Sequence, residues 1–128
     1  MPQYRAPLRD IQFVMNELLD TETHYQHIPG GEEATPDMVN AIIQEGAKFC
    51  EQVLSPLNQT GDQEGCTLKD GEVTTPTGFK EAYRQYIEGG WPSMTSDEEL
   101  GGQGLPGSLS MVMSEMVGTA NWAFGMYP

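Results

Sequence analysis

Six residues, Gly102-Gln103-Gly104-Leu105-Pro106-Gly107, match G-x-G-x-x-G, the spacing that cradles a dinucleotide pyrophosphate. That chemistry needs a strand before the glycines and a βαβ unit around them. Ser96-Asp97-Glu98-Glu99 is not a strand pattern, so the glycines are read as close packing where the next helix begins. His24 and His27, three apart, meet on one face of a helix and offer two metal ligands. No third ligand follows at a suitable spacing, which leaves two surface histidines and no predicted metal site. Cys50 and Cys66 lie 16 apart, a spacing of neither metal nor redox motifs, and read as free thiols in a reducing cytoplasm. Cys50 falls on an apolar helix face with no histidine near it in sequence, so it reads as a small buried hydrophobe rather than a nucleophile. Glu115 interrupts a Met-rich stripe. A buried acid there would have a raised pKa; the favoured reading puts it on the wet side of its helix. Asp97-Glu98-Glu99 reads as a solvated face, and no Ser/His/Asp or Cys/His arrangement stands out. No catalytic residue is predicted.

The elements that position these residues read as helices. Leu8 to Asp20 carries Leu8, Ile11, Met15 and Leu18 at helical spacing, with Pro7 in place for the first turn. Residues 24–34 read as a loop around Pro29-Gly30-Gly31. Thr35-Pro36-Asp37 is a capping hydroxyl, a first-turn proline and a first-turn acid, and predicts a helix to about Leu54 or Ser55, before Pro56. A polar loop then runs from Leu57 to Cys66. Asp70-Gly71 between Thr67-Leu68-Lys69 and Glu72-Val73-Thr74 predicts a two-residue hairpin. Thr75-Pro76 predicts the start of a third helix, with Phe79, Ala82, Tyr83, Tyr86 and Ile87 buried and Gly89-Gly90 at its end. Trp91 should fold back on the core. The fourth helix, from about Pro106 to Ala120, is the most apolar and should be central, buried on most sides. Trp122, Phe124 and Tyr127 make an aromatic terminus that would leave an exposed cluster; the chain looks as if it should go on. The predicted fold class is all-α: one domain, residues 1–128, a helical bundle of about four helices with one small β-hairpin.

Composition sets the partners. Six basic and nineteen acidic residues give a net charge of −13, which disfavours nucleic acid and anionic lipid. Hydrophobic residues make up 38% of the 128, enough for a core. No apolar run approaches the roughly 20 residues that span a bilayer, and Met1 to Arg5 is not a signal peptide, so the expectation is a soluble cytoplasmic protein without membrane insertion.

One family is similar in its motifs. Glu98-Glu99-Leu100-Gly101-Gly102-Gln103-Gly104-Leu105-Pro106, followed by Ser114-Glu115, resembles the Gly-rich turn and following helix of the acyl-CoA dehydrogenases. The preceding Leu54-Ser55-Pro56-Leu57-Asn58 and Gly89-Gly90-Trp91 resemble the family in order, and the opening Tyr4-Arg5-Ala6-Pro7-Leu8-Arg9-Asp10 resembles its long-form, 3-methylmercaptopropionyl-CoA dehydrogenase-like branch. The resemblance covers nearly the whole chain. It implies the N-terminal helical domain of an enzyme whose later β and helical domains hold FAD and the catalytic glutamate. It also implies an acyl-CoA substrate, an electron-transfer flavoprotein as acceptor and a homo-oligomer. Catalytic and FAD residues would lie beyond Pro128, so none is assigned here, and no FAD is expected on this segment alone. The resemblance places the acyl end of the substrate pocket near Phe124, Gly125, Met126 and Tyr127. A competing expectation, from the residues alone, is a self-contained acidic helical interaction module whose Met-rich helix and terminal aromatics bind another protein.

Overall fold

The computed structural model describes residues 3–126 and Pro128. It is helical apart from one hairpin, as the residue pattern implies. Helix α1, Leu8–Phe13, continues into a π-helical turn, Val14–Leu18. Asp20 then takes a left-handed conformation, φ 47°, and its carboxylate accepts the Thr23 N–H at 3.5 Å. That cap starts a short helix α2, Thr21–Tyr25, so His24 and Tyr25 are helical rather than part of the expected loop.

Helix α3, Pro36–Phe49, begins where Thr35-Pro36 predicts, with Thr35 Oγ1 accepting the Met38 N–H at 3.3 Å. It does not stop before Pro56. A π turn, Cys50–Leu54, leads straight into helix α4, Ser55–Glu64. In the π turn the Ser55 N–H reaches back five residues to the Cys50 carbonyl, and Pro56 falls in the first turn of the new segment. A proline there needs no intrahelical donor, so the helical run survives it. The polar stretch from Leu57 is therefore helix almost to Cys66, not loop.

The hairpin is as expected. Strands β1, Thr67–Lys69, and β2, Glu72–Thr74, pair antiparallel with Leu68 opposite Val73. Asp70 at φ 52° and Gly71 at φ 82° supply the two left-handed positions of its turn. Helix α5, Phe79–Glu88, starts three residues after Pro76. Thr77 instead donates its N–H and its hydroxyl to the Glu64 carboxylate, at 3.0 and 2.9 Å, which holds residues 75–77 as a turn. Phe79, Ala82 and Tyr86 are buried as predicted; Tyr83 and Ile87 lie at the edge of the stripe and are nearly half exposed.

Helix α6, Gly107–Ala120, is the central element, packed on α3 and on the Cys50–Leu54 turn. Leu109, Met113, Met116, Val117 and Ala120 enter the core, but Met111 is 70% exposed, so the helix is not covered on every side. After one extended residue, Asn121, a four-residue helix α7, Trp122–Gly125, folds back across it. The core joins Ile11, Met15 and Tyr25 to Val39, Ile43, Ala47, Cys50 and Leu54, and these to the inner faces of α5 and α6. Among the described residues no helix is long and apolar enough to cross a membrane.

Candidate functional site

The Gly-rich turn is closed on its own backbone. The amides of Gly102, Gln103, Gly104 and Leu105 donate to the carbonyls of Asp97, Ser93, Ser96 and Met94, at 2.9 to 3.0 Å. Gln103 adds a side-chain Nε2–H to the Gly90 carbonyl at 3.0 Å. Glu98–Leu100 ahead of the glycines is a single 3₁₀ turn, not a strand. With those amides taken, the turn offers no row of free donors to a phosphate, and the phosphate reading fails on geometry as well as on sequence. A Cβ on Gly102 would stand 2.0 Å from the Ser96 carbonyl oxygen, so only glycine fits this approach.

A groove of about 430 Å³ is lined by the 3₁₀ segment Trp91–Ser93 and the residues just after it, by α6 and by α7. Its lining is apolar at Tyr86, Trp91, Met94, Met113 and Val117, polar at Thr95, Ser110 and Ser114, and also includes Gly118, Trp122, Gly125 and Pro128. A larger cleft of about 1000 Å³ opens on the other side of α7. It is bordered by Gln3, Tyr4, Ser55, Asn58, Gln59, Asp62, Cys66, Thr119, Trp122 and Met126. A third hollow, about 410 Å³, lies over Phe79, Tyr83 and Phe124.

Of the pocket positions expected from the resemblance, the structure therefore separates three. Phe124 is buried, its ring 5.9 to 6.5 Å from those of Phe49, Phe79, Tyr83 and Tyr86. It is a core residue and not part of an exposed cluster. Gly125 borders the groove, Met126 borders the large cleft, and Tyr127 lies outside the described residues. Trp122 is the exposed aromatic of this terminus, at 69%.

Asn121, missed in the sequence, holds the corner together. It has no exposed surface; its Nδ2 donates to the Leu54 carbonyl at 3.1 Å and its Oδ1 accepts the Phe124 N–H at 3.1 Å. An asparagine before a tryptophan at the end of an apolar helix was the available signal, as a cap. Glu51 is the other unpredicted anchor. It accepts the Ala6 N–H at 2.9 Å and pairs with Arg5 at 3.3 Å, laying the N-terminal segment along the π turn.

The remaining candidates sort plainly. Cys50 has no exposed surface, and burial, helped by the Glu51 charge, pushes its thiol up to about 12, which makes it inert. Cys66 is exposed. Burial, with the charges of Cys50, Glu115 and Glu51, pushes the Tyr4 phenol up to about 12. Glu115 faces solvent, as favoured. His27 Nδ1 donates to the Thr23 carbonyl at 2.7 Å, and both histidines are exposed. Among the described residues no group of three or more His, Cys, Asp and Glu is placed to hold a metal ion.

No protein-family profile matches the chain. Individual enzymes do. Over 125 residues, 98% of the chain, it is 36% identical to the 3-methylmercaptopropionyl-CoA dehydrogenase of Ruegeria pomeroyi. Over 103 residues, 78% of the chain, it is 31% identical to the butyryl-CoA dehydrogenase of Syntrophomonas wolfei. Over 131 aligned positions, 99% of the chain, it is 28% identical to a broad-specificity linear acyl-CoA dehydrogenase of Mycobacterium tuberculosis. The match covers 21%, 17% and 21% of these enzymes, so the chain spans about a fifth of the relatives' length. The resemblance to acyl-CoA dehydrogenases holds along essentially the whole chain.

Proposed function

We propose that residues 1–128 are the N-terminal helical domain of an FAD-dependent acyl-CoA dehydrogenase, which removes a hydrogen from each of the α and β carbons of an acyl-CoA thioester. One observation carries the reading: similarity to such enzymes runs over 98% of the chain while covering about a fifth of the relative. In this reading the chain supplies scaffold and one wall of the acyl site. The groove between α6 and the Trp91 segment suits an acyl chain, because Trp91, Met94, Met113 and Val117 present apolar surface to it. Of the positions expected at the acyl terminus, Gly125 is the one that borders this groove and is the candidate for that contact.

The chain's own residues do not fit a flavin site. The amides of the Gly-rich turn are already bonded, and the net charge of −13 repels a pyrophosphate. FAD, the proton-abstracting carboxylate and the CoA contacts then belong to the rest of the enzyme, and no step is assigned to side chains here. An electron-transfer flavoprotein as acceptor, a homo-oligomeric assembly, a cytoplasmic location and a place in fatty acid metabolism complete the proposal.

The test is to read and express the coding frame past codon 128. The expected product is yellow, carries FAD and reduces a dye with acyl-CoA, while the 128-residue chain alone is colourless and inactive. A stop codon at position 129, or a longer product without flavin, overturns the proposal and favours an acidic helical interaction module.

A further inference from the structure

Helix α1 and its π turn carry apolar side chains on two faces. Ile11 and Met15 enter the core. Phe13, Val14, Leu18 and Leu19 do not, and they stay 39% to 67% exposed. Single exposed apolar residues are ordinary, but four large ones close together mark an interaction surface. The π turn shapes this face. The Leu19 N–H reaches back five residues to the Val14 carbonyl at 2.9 Å. A turn closed this way takes nearly one residue more than an α turn, so Glu17 and Leu18 lie to either side of Phe13, one turn on. Arg9 lies one turn before it. Arg9 and Glu17 are both exposed, and neither joins an ion pair among the described residues.

We propose that this face of α1 is where two copies of the chain meet, as an antiparallel helix pair about a two-fold axis at Phe13. The inference deepens the homo-oligomeric part of the function proposed above and needs none of its chemistry. A two-fold contact sets a patch against itself, so the patch must complement itself. With Phe13 opposite the partner's Phe13, the residue four before it faces the residue four after it. Arg9 of each copy then meets the partner's Glu17, and Val14 and Leu18 flank the ring. The axis gives two such ion pairs at the edge of an apolar contact. Asp10, the remaining charge of α1, falls at the rim and stays in water. A chain at −13 repels its own copy, so a face with balanced charge is the one suited to self-pairing. Exposed Leu100, by contrast, sits among Asp97, Glu98 and Glu99, and a two-fold contact there would set acid against acid. Two short helices bury less than the ~1,200 Å² of a stable interface, so the contact is weak alone and adds to the rest of the assembly.

The experiment uses the product of the whole reading frame, with Cys66→Ser to remove the exposed thiol. Axes of packed helices run roughly 8–10 Å apart, which leaves Cα atoms that face each other directly about 5 Å apart, within reach of a disulfide. Phe13→Cys should therefore give a disulfide-linked dimer on mild oxidation, about tenfold or more faster than Leu68→Cys, which replaces a more exposed residue on the hairpin. Arg9→Glu or Glu17→Arg sets like charges across the axis and should slow the cross-link about fivefold, and the two together should restore it. If Phe13→Cys does not fold, the concentration dependence of sedimentation in these charge variants carries the test. A rate no higher than that of Leu68→Cys overturns the pairing. It does so whether the thiol at position 13 is then open to a maleimide, as on a free surface, or shielded, as under another part of the chain. Charge variants that change neither cross-linking nor sedimentation overturn it too. Flavin content, read on the same preparation, tests the acyl-CoA dehydrogenase reading separately.

Discussion

Asn121 uses both ends of its carboxamide inside the core, between α7 and the end of the Cys50–Leu54 turn. Asn121→Ala strands the Leu54 carbonyl and the Phe124 amide where water does not reach. An unsatisfied buried group costs on the order of 2 kcal/mol, and the loss should be about that or more in urea unfolding. A variant as stable as wild type would show that the two bonds contribute nothing net. Asn121→Asp keeps an acceptor for the Phe124 amide but sets a carboxylate against the Leu54 carbonyl, so it should be no better than alanine. The sequence could show Asn121 as a cap. It could not show the partner, because Leu54 is 67 residues away. Phe124 was unreadable for the same reason: its surroundings come from α3 and α5, so a terminal aromatic that looked exposed is core.

At the scale of elements, the parts written locally were legible. Thr35-Pro36 caps and starts α3, Asp70-Gly71 turns the hairpin, Gly90 ends α5 at φ 75°, and the Met-rich stripe makes α6. Where an element depended on something distant, the pattern misled. Pro56 reads as a stop unless the π turn before it is known. Thr75-Pro76 reads as a helix start unless Glu64 is seen holding Thr77. The candidate groove was legible only in part, through Trp91 folding back and Gly125; its lining comes from three separate stretches of chain. The Gly-rich turn is the element most exposed to a single change. Gly102→Ala sets a Cβ 2.0 Å from the Ser96 carbonyl oxygen, and backbone rather than a flexible side chain must move. The expected loss is about 3 kcal/mol or more, read from the urea midpoint. A loss below about 1 kcal/mol would mean that the loop shifts freely.

At the scale of the whole molecule, the described groups whose protons burial holds most firmly are weak acids, buried Cys50 and half-buried Tyr4, and this makes alkaline pH the sensitive side. The Cys50 thiol, ordinarily near 9.0, and the Tyr4 phenol, ordinarily near 10.0, are both pushed up to about 12 by burial. The unfolded chain therefore gives up these protons at a pH where the folded chain keeps them. Their contribution is fully present below about pH 9, and is lost as the pH rises through about 12. New negative charge on a chain already at −13 acts in the same direction. The urea midpoint should fall steadily from about pH 9 to pH 11, and Cys50→Ala should flatten that slope. A flat wild-type profile would contradict the assignment. On the acid side, hydrogen bonds from Arg84 and Gln85 lower the exposed Glu81 carboxyl from 4.5 to about 2, so its small contribution to α5 is full above about pH 4.5 and is lost as the pH falls from there towards 2.

The self-closed Gly-rich turn has a consequence in time. Its bonds join residues only 8 to 11 apart, from Ser93, Met94 and Ser96 to Gln103, Gly104 and Leu105, whereas the Asn121 clamp joins residues 67 apart. Loops of about ten residues close in roughly 10–100 ns, and long closures come later in assembly. Gly102→Ala should therefore slow refolding in a stopped-flow trace. Asn121→Ala should leave refolding alone and hasten unfolding. The lifetime of the folded chain, and with it resistance to proteolysis, is then set at the α7 corner rather than at the turn that forms first.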